Sequence, residues 1–208
     1  MPAALQIDVR EAVLDAAEGL LGRHGYRRMT MDDVARAAGI GKGTVYLHFS
    51  SKEDVALGTI DRLVERVVAR LDKLAGGTGT VMGRLRRMLA ERVLLRFDAV
   101  AGYSGSLDEL LADVRPALLE RRKAWFRREA RVFERLLAEG VRSGTLRDLS
   151  PAATALALVD ATNSFLPLSL TARQLGRRAD VAARVARVAD LLVAGLAPLS
   201  TAPSGDGS

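Results

Sequence analysis

The sequence predicts an all-α protein, and three observations carry that expectation. Apolar residues recur every three to four positions along most of the chain, and no stretch alternates with the period of two that marks a strand. Alanine, leucine, arginine and valine dominate while aromatics make up only 4%, a balance that favours helix. Clusters of glycine and proline mark the breaks between periodic stretches.

The elements follow in order. Val13, Ala16, Ala17, Leu20 and Leu21 share one helical face, and that helix ends near Gly22–Gly25. Two short helices are expected at 31–38 and 42–48. Next comes a longer one with Ile60, Leu63, Val64, Val67, Leu71 and Leu74 on one stripe. The run Ala75-Gly76-Gly77-Thr78-Gly79 is too glycine-rich to continue it. Further helices are expected at roughly 80–98, 107–113, 116–142, 151–173 and 178–196, for a total of nine. Pro116 and Pro151 suit first-turn positions, where a missing N–H is no loss, and Ser150 is placed to cap the helix after it. Pro167, if inside a helix, would clash with the carbonyl of Asn163 and kink it. The tail 198–208, rich in Pro, Ser and Gly, is expected to be disordered.

At 208 residues, with 49% hydrophobic and 27% charged, the chain has ordinary globular composition and enough length for a real core. The absence of cysteine excludes disulfides and thiolate metal sites and fits a reducing compartment. No stretch approaches the roughly 18 apolar residues of a membrane span. Met1–Arg10 carries Asp8 and lacks a basic-then-apolar signal layout. A cytoplasmic protein without a membrane partner is expected. The net charge of +6 says little by itself, because residues 1–75 hold eleven bases and eleven acids.

Local pattern is more telling. Thr30 stands three residues before Asp33, a capping-box spacing that starts a helix at Met31; losing such a cap typically costs ~1 kcal/mol. Gly39 can take the left-handed conformation that ends it. Ala35, Ala38 and Ile40 can then form a small core where two helices cross closely. In the second helix Lys42, Gly43, Thr44, Tyr46 and His48 offer donors and small surfaces, while Val45 and Phe49 can face inward. A helix seated in the major groove needs such an outer face. Ser50 or Ser51 can cap the next helix, whose first turn carries Lys52, beside free N–H groups that suit a phosphate. From Arg23 to Lys52 bases outnumber acids six to two. Tyr26 reads as core, and Arg27, Arg28 and Arg36 as solvated or at the rim.

The string Met31-Asp-Asp-Val-Ala-Arg-Ala-Ala-Gly-Ile-Gly-Lys-Gly-Thr-Val-Tyr-Leu-His-Phe-Ser-Ser-Lys-Glu-Asp resembles the helix-turn-helix signature of the tetracycline-repressor (TetR) family. The preceding helix with His24-Gly25-Tyr26 matches as well, so the likeness covers about 8–60. One departure is Gly41, where the family more often has serine, which puts a cap or a phosphate contact in doubt. The resemblance implies a two-domain architecture. A helix-turn-helix domain over 1–52 and a connecting helix over 53–75 precede a ligand-binding and dimerisation domain over 80–197. It implies DNA contacts from Thr30, Lys42, Gly43, Thr44, Tyr46, His48 and Lys52. It further implies a homodimer on a double-stranded, palindromic operator, most often a repressor, released by a small-molecule effector.

The C-terminal part supports such an arrangement. Small and branched residues, Ala152, Ala153, Ala155, Ala157 and Ala161 with Leu156, Leu158 and Val159, then Val181, Val185, Val188, Leu192 and Leu196, suit a four-helix interface. Candidate pocket residues are the aromatic and polar groups among apolar helices: Phe97, Tyr103, Trp125, Phe126, Phe133, Asn163 and Phe165. Arg121, Arg122, Lys123, Arg127, Arg128, Arg131 and Arg135 form a basic run, read either as a solvated face or as the seat of an anionic effector such as an acyl-coenzyme A.

Catalysis is not expected, and neither is a metal or cofactor. Both histidines, His24 and His48, fall in the N-terminal unit, and no His-Glu-x-x-His, Walker loop or glycine-rich nucleotide turn occurs. The competing reading is a basic helical protein acting at a membrane or protein surface. It accounts for 121–135 but leaves the capped corner unexplained.

Overall fold

The computed structural model describes residues 8–101, 107–166 and 176–198. Regular structure there consists of eight α-helices and one 3-10 turn: α1 (Val9–His24), α2 (Met31–Ala38), α3 (Lys42–His48), α4 (Lys52–Ala75), α5 (Val81–Val100), α6 (Leu107–Arg142), α7 (Pro151–Thr162) with a 3-10 turn at Asn163–Phe165, and α8 (Arg178–Ala194). No strand occurs among the described residues, and no helix among them is long and apolar enough to cross a membrane.

Each helix starts and stops for a local reason. Asp8 opens α1 by accepting from the N–H groups of Arg10 and Glu11, and Gly25 closes it at φ 76°, a conformation glycine adopts without strain. Ser51 caps α4 by accepting from the Asp54 N–H. The glycine run after α4 is a tight turn rather than a loose linker. Arg84 donates to the Ala75 carbonyl at 2.5 Å and Arg87 to the Thr78 carbonyl at 2.6 Å, while Thr80 caps α5 at Gly83. Ser150 caps α7 with Pro151 in its first turn, as expected.

Two expectations are corrected. The stretches 107–113 and 116–142 are one helix with Pro116 inside it. Proline removes one backbone bond there, yet the buried stripe Leu110, Val114, Leu118 and Trp125 keeps helical period across it, so packing on both sides holds the helix together. The helix expected at 151–173 ends at Thr162. Leu166, which precedes Pro167, is extended at φ −78° and ψ 144°, because the proline ring pushes its predecessor out of the helical region. The chain therefore leaves the helix before the proline instead of kinking at it. Residues 167–175 and the tail 199–208 lie outside the described residues, as does Tyr103.

The core is nearly continuous. One cluster packs Val13, Leu14, Ala17, Leu21, Val34, Val45, Phe49 and Val55 of the first four helices, and Leu110, Val114, Leu118 and Trp125 of α6 join it. A second gathers Val67 and Leu71 of α4, Leu85 and Leu89 of α5, Phe133 and Leu137 of α6, Leu158 of α7 and Val193 of α8. Both α4 and α6 run through the two clusters. Gly140 lets α6 meet the following loop: a Cβ there would stand 2.5 Å from Leu146 Cδ1.

Candidate nucleic-acid interface and ligand cavity

The α2–α3 corner is built by local bonds. The Thr30 hydroxyl accepts from the Asp33 N–H at 3.2 Å and donates to its carboxylate at 2.7 Å, while the Thr30 N–H donates back to that carboxylate. The side-chain bond from Thr30 is the main reason the Asp33 carboxyl sits below its usual range. Gly39 ends α2 in the left-handed conformation at φ 69°, and Ile40 N–H reaches back to the Ala35 carbonyl at 3.1 Å. Gly41 then opens α3 with no side-chain cap. Val45 and Phe49 anchor the back of α3 in the core. Gly58 of α4 makes room, since a Cβ there would meet Leu14 and Phe49 at 2.9 Å.

The opposite side of α3 faces solvent. Lys42, Gly43, Tyr46 and His48 are exposed and Thr44 is half-buried. Leu47, not anticipated from the sequence, is 84% exposed, the most exposed large apolar side chain among the described residues. Its signal was its position, on the side of α3 away from Val45 and Phe49. Lys42 pairs with Asp32 at 2.9 Å. Lys52 is held in place: its ammonium donates to the Tyr26 carbonyl at 3.3 Å and lies 4.2 Å from the centre of the Tyr26 ring. Tyr26 is buried, and its hydroxyl donates to Glu53. Burial first, then the Glu53 charge, raises the phenol's pKa far enough to keep it protonated. Thr30 is exposed, but its hydroxyl serves the cap. Arg27, Arg28 and Arg36 are exposed around the same corner.

A cavity of about 360 Å³ lies between α1, α4, α5 and α6. Ile60, Leu63 and Val64 of α4, Leu95 and Ala99 of α5, and Leu111, Trp125 and Phe126 of α6 give it an apolar wall. Of the seven residues expected at a pocket, it brings together Trp125 and Phe126. Phe133 is wholly buried in the second core cluster. Phe97 and Phe165 pack instead with Val93, Leu166, Val181 and Val185. The Asn163 side chain accepts from Arg92 at 2.7 Å. Trp125 is oriented by Asp61 of α4, whose carboxylate accepts from the indole N–H at 2.8 Å and from Arg121 at 2.5 Å.

Sequence reading missed the most unusual feature behind this wall. Arg92 is fully buried and donates to Glu129 (2.6 Å), Thr162 (2.7 Å) and Asn163. Arg96, also buried, donates to the other Glu129 oxygen at 2.7 Å and to the Arg92 carbonyl at 2.8 Å. Arg96 itself lines the cavity. The available signal was the apolar stripe of α5, in which Arg92 and Arg96 continue the spacing of Leu85, Met88 and Leu89. The basic run of α6 does something different. Arg121, Arg128 and Arg135 pair with Asp61, Glu65 and Asp72 of α4, fastening the two helices along their length, and none of the three lines the cavity.

Comparisons agree with this geometry. The family model described as bacterial regulatory proteins, tetR family, matches residues 13–58, the stretch that holds α2, α3 and their supports. The transcriptional regulator AlkX of Mycobacterium tuberculosis is 43% identical over 72 residues, 33% of this chain and 34% of that protein. The chain thus aligns with about a third of that relative's length. A crystal structure of a transcriptional regulator from Cytophaga hutchinsonii superposes with a TM-score of 0.75 at 18% identity, covering 90% of this chain and 97% of the other, a likeness of fold. One of a TetR/AcrR-family regulator from Thermobifida fusca gives 0.59 at 26% identity, with 90% and 98% covered. The stretch that builds the capped corner thus matches the tetR family of bacterial regulatory proteins, and the helices around the cavity share the fold of solved transcriptional regulators, one of them of the TetR/AcrR family.

Proposed function

We propose that the chain is a ligand-responsive DNA-binding regulator that works as a homodimer on a pseudo-palindromic operator, with repression as its mode. The observation that carries this is the exposed face of α3: Lys42, Gly43, Tyr46, Leu47 and His48 stand in solvent, with Thr44 half-buried beside them, while Val45 and Phe49 lock the helix behind. Tyr46 and Thr44 read base edges and the sugar-phosphate border, and Leu47 adds an apolar surface for a thymine methyl. His48 and Lys52 hold phosphates, Lys52 from the first turn of α4. On binding, Lys42 exchanges Asp32 for a phosphate. Thr30 positions the corner through its cap, next to the backbone it serves.

A single corner makes few contacts, so two-fold pairing is needed to engage successive grooves. The surface for it is an apolar strip on α7 and α8: Ala152, Ala153, Leu156, Ala157 and Leu191 are exposed, whereas Ala155, Leu158, Val159, Val181 and Val185 are spent on the chain's own core. The effector site is the cavity, and α4 is the lever. Its first turn carries Lys52, and its residues 59–64 form the cavity wall. A ligand that binds better to one orientation of α4 shifts the spacing of the two α3 helices; that difference in affinity is the whole of the coupling.

The test is selection of genomic fragments by the purified protein, followed by binding measurements on the enriched site with excess competitor DNA. Tyr46→Ala and Thr44→Ala should each abolish specific binding while leaving a folded dimer. Full affinity in both variants would place the reading surface elsewhere. A protein without sequence preference, retained instead by anionic vesicles, would favour a surface-binding role.

A further inference from the structure

The charge behind the cavity does not balance. Arg92 and Arg96 share one carboxylate, Glu129, and all three side chains are 0–4% exposed. Asp160, exposed on α7 and bonded to Asn163, also acts on Arg92 through space, but within the buried set itself two cations face one carboxylate. Burial lowers the Arg92 pKa to about 10, with Glu129 and Asp160 partly offsetting the effect and Arg96 adding to it. Thr162 and Asn163 supply neutral oxygens only. The other charged groups on the cavity wall are exposed to a quarter or more and already engaged: Glu18 with Arg62 and Arg66, Asp98 with Arg178. Each of these charges is therefore already matched by an opposite one, and the Asp98–Arg178 pair is also exposed to solvent. Of the three groups in the unbalanced set, Arg96 is the one that reaches the cavity.

Most of the cavity wall is apolar, with Leu63, Val64, Ala99, Leu111, Trp125 and Phe126 beside Thr59 and those engaged charges. The volume, about 360 Å³, falls at the lower end of small-molecule sites, which run about 300–1,000 Å³. We infer that the cavity takes a compact amphipathic anion, an apolar body with a single carboxylate-type headgroup, and that Arg96 is its anchor. An anion there completes the charge of the Arg92–Arg96–Glu129 set, which ties α5 to α6 and α7. The inference rests on the reading of this cavity as the effector site. It moves the anion-binding role from the basic run of α6 to an arginine inside the core.

The experiment is calorimetric titration of the full chain with three ligands of equal chain length: decanoate, decanol and decylammonium. Decanoate should bind about tenfold to a hundredfold more tightly than decanol, the worth of one hydrogen bond to a charged group, and decylammonium should not bind. Arg96→Gln should erase the decanoate advantage without changing decanol affinity, Arg96→Lys should retain most of it, and Ala99→Phe should weaken both ligands by filling the cavity. If Arg96→Gln does not fold by circular dichroism, the headgroup comparison in the wild type and in Arg96→Lys decides. Equal affinity for decanoate and decanol, or no binding of decanoate, overturns the inference and makes the arginine pair a purely structural tie. Its failure is separable from that of the regulatory reading. Decanoate binding through Arg96 with unchanged DNA affinity upholds the site and removes its regulatory role. Tyr46-dependent DNA binding without decanoate binding does the reverse.

Discussion

At the scale of single residues, the corner depends on a few polar atoms with two duties. Lys52 is a cation that the proposal assigns to a phosphate, yet its stem and charge already rest on Tyr26, so it is presented rather than searching. Thr30 and Asp33 close a reciprocal cap. Because the bond from Thr30 holds the Asp33 carboxyl below its ordinary value of 3.8, the folded state favours the ionised form. The stabilisation is therefore fully present above that value and lost as the pH falls through it toward the folded pKa. Wild type should melt above Asp33→Asn at neutral pH, and the gap should narrow as the pH falls below the ordinary carboxylate value of 3.8 toward the folded pKa; thermal melts on both sides of that value check it. A constant gap would mean that the carboxylate's charge is irrelevant to the cap. This pairing was legible in the sequence because both partners lie within one turn. The Arg92–Glu129 pair was not: its members are 37 positions apart, and a charged residue on an apolar stripe shows its burial only once its partner helix is in place.

At the scale of elements, helix ends follow chemistry that can be read locally, while helix interiors follow packing. Asp8, Ser51, Thr80 and Ser150 all cap as their types and positions require. Pro116 shows the limit, since a residue that usually begins a helix sits inside α6 because the buried stripe spans it. The weak element is α3, seven residues long and opened by Gly41 without a side-chain cap. Gly41 has ordinary extended dihedrals, and a Cβ there would make only van der Waals contact with the Thr44 hydroxyl at 3.7 Å. Gly41→Ser should therefore stabilise the protein by about 0.5–1 kcal/mol, from a gained cap and a less flexible unfolded chain. Chemical denaturation measures it, and a lower midpoint would show that the turn needs glycine for another reason.

At the scale of the whole molecule, α4 and α6 make one body of the two clusters. The ion pairs Arg121–Asp61, Arg128–Glu65 and Arg135–Asp72 run along their contact, so a change in the cavity wall has a stiff path to Lys52. What single-chain packing leaves open is the strip on α7 and α8, where Leu191 is 76% exposed and Leu156 46%. Under the proposed dimer these leucines lie at the subunit contact. Leu191→Asp should weaken self-association by about 2 kcal/mol or more and, through loss of two-site engagement, reduce operator affinity by about a hundredfold or more. Sedimentation and DNA titration on the same sample check both. An undiminished dimer would put the interface elsewhere.

Taken alone, the amino-acid order determined the helical class, the capped corner at Thr30–Lys52 and its family likeness. Those features rest on contacts within one or two turns, whose chemistry is written in neighbouring residues. The tertiary structure decided which apolar residues became core and which remained free, where the cavity opened, and that two arginines would be buried against one glutamate. Such outcomes depend on which helices face each other, and periodicity within a single helix carries no record of its neighbour.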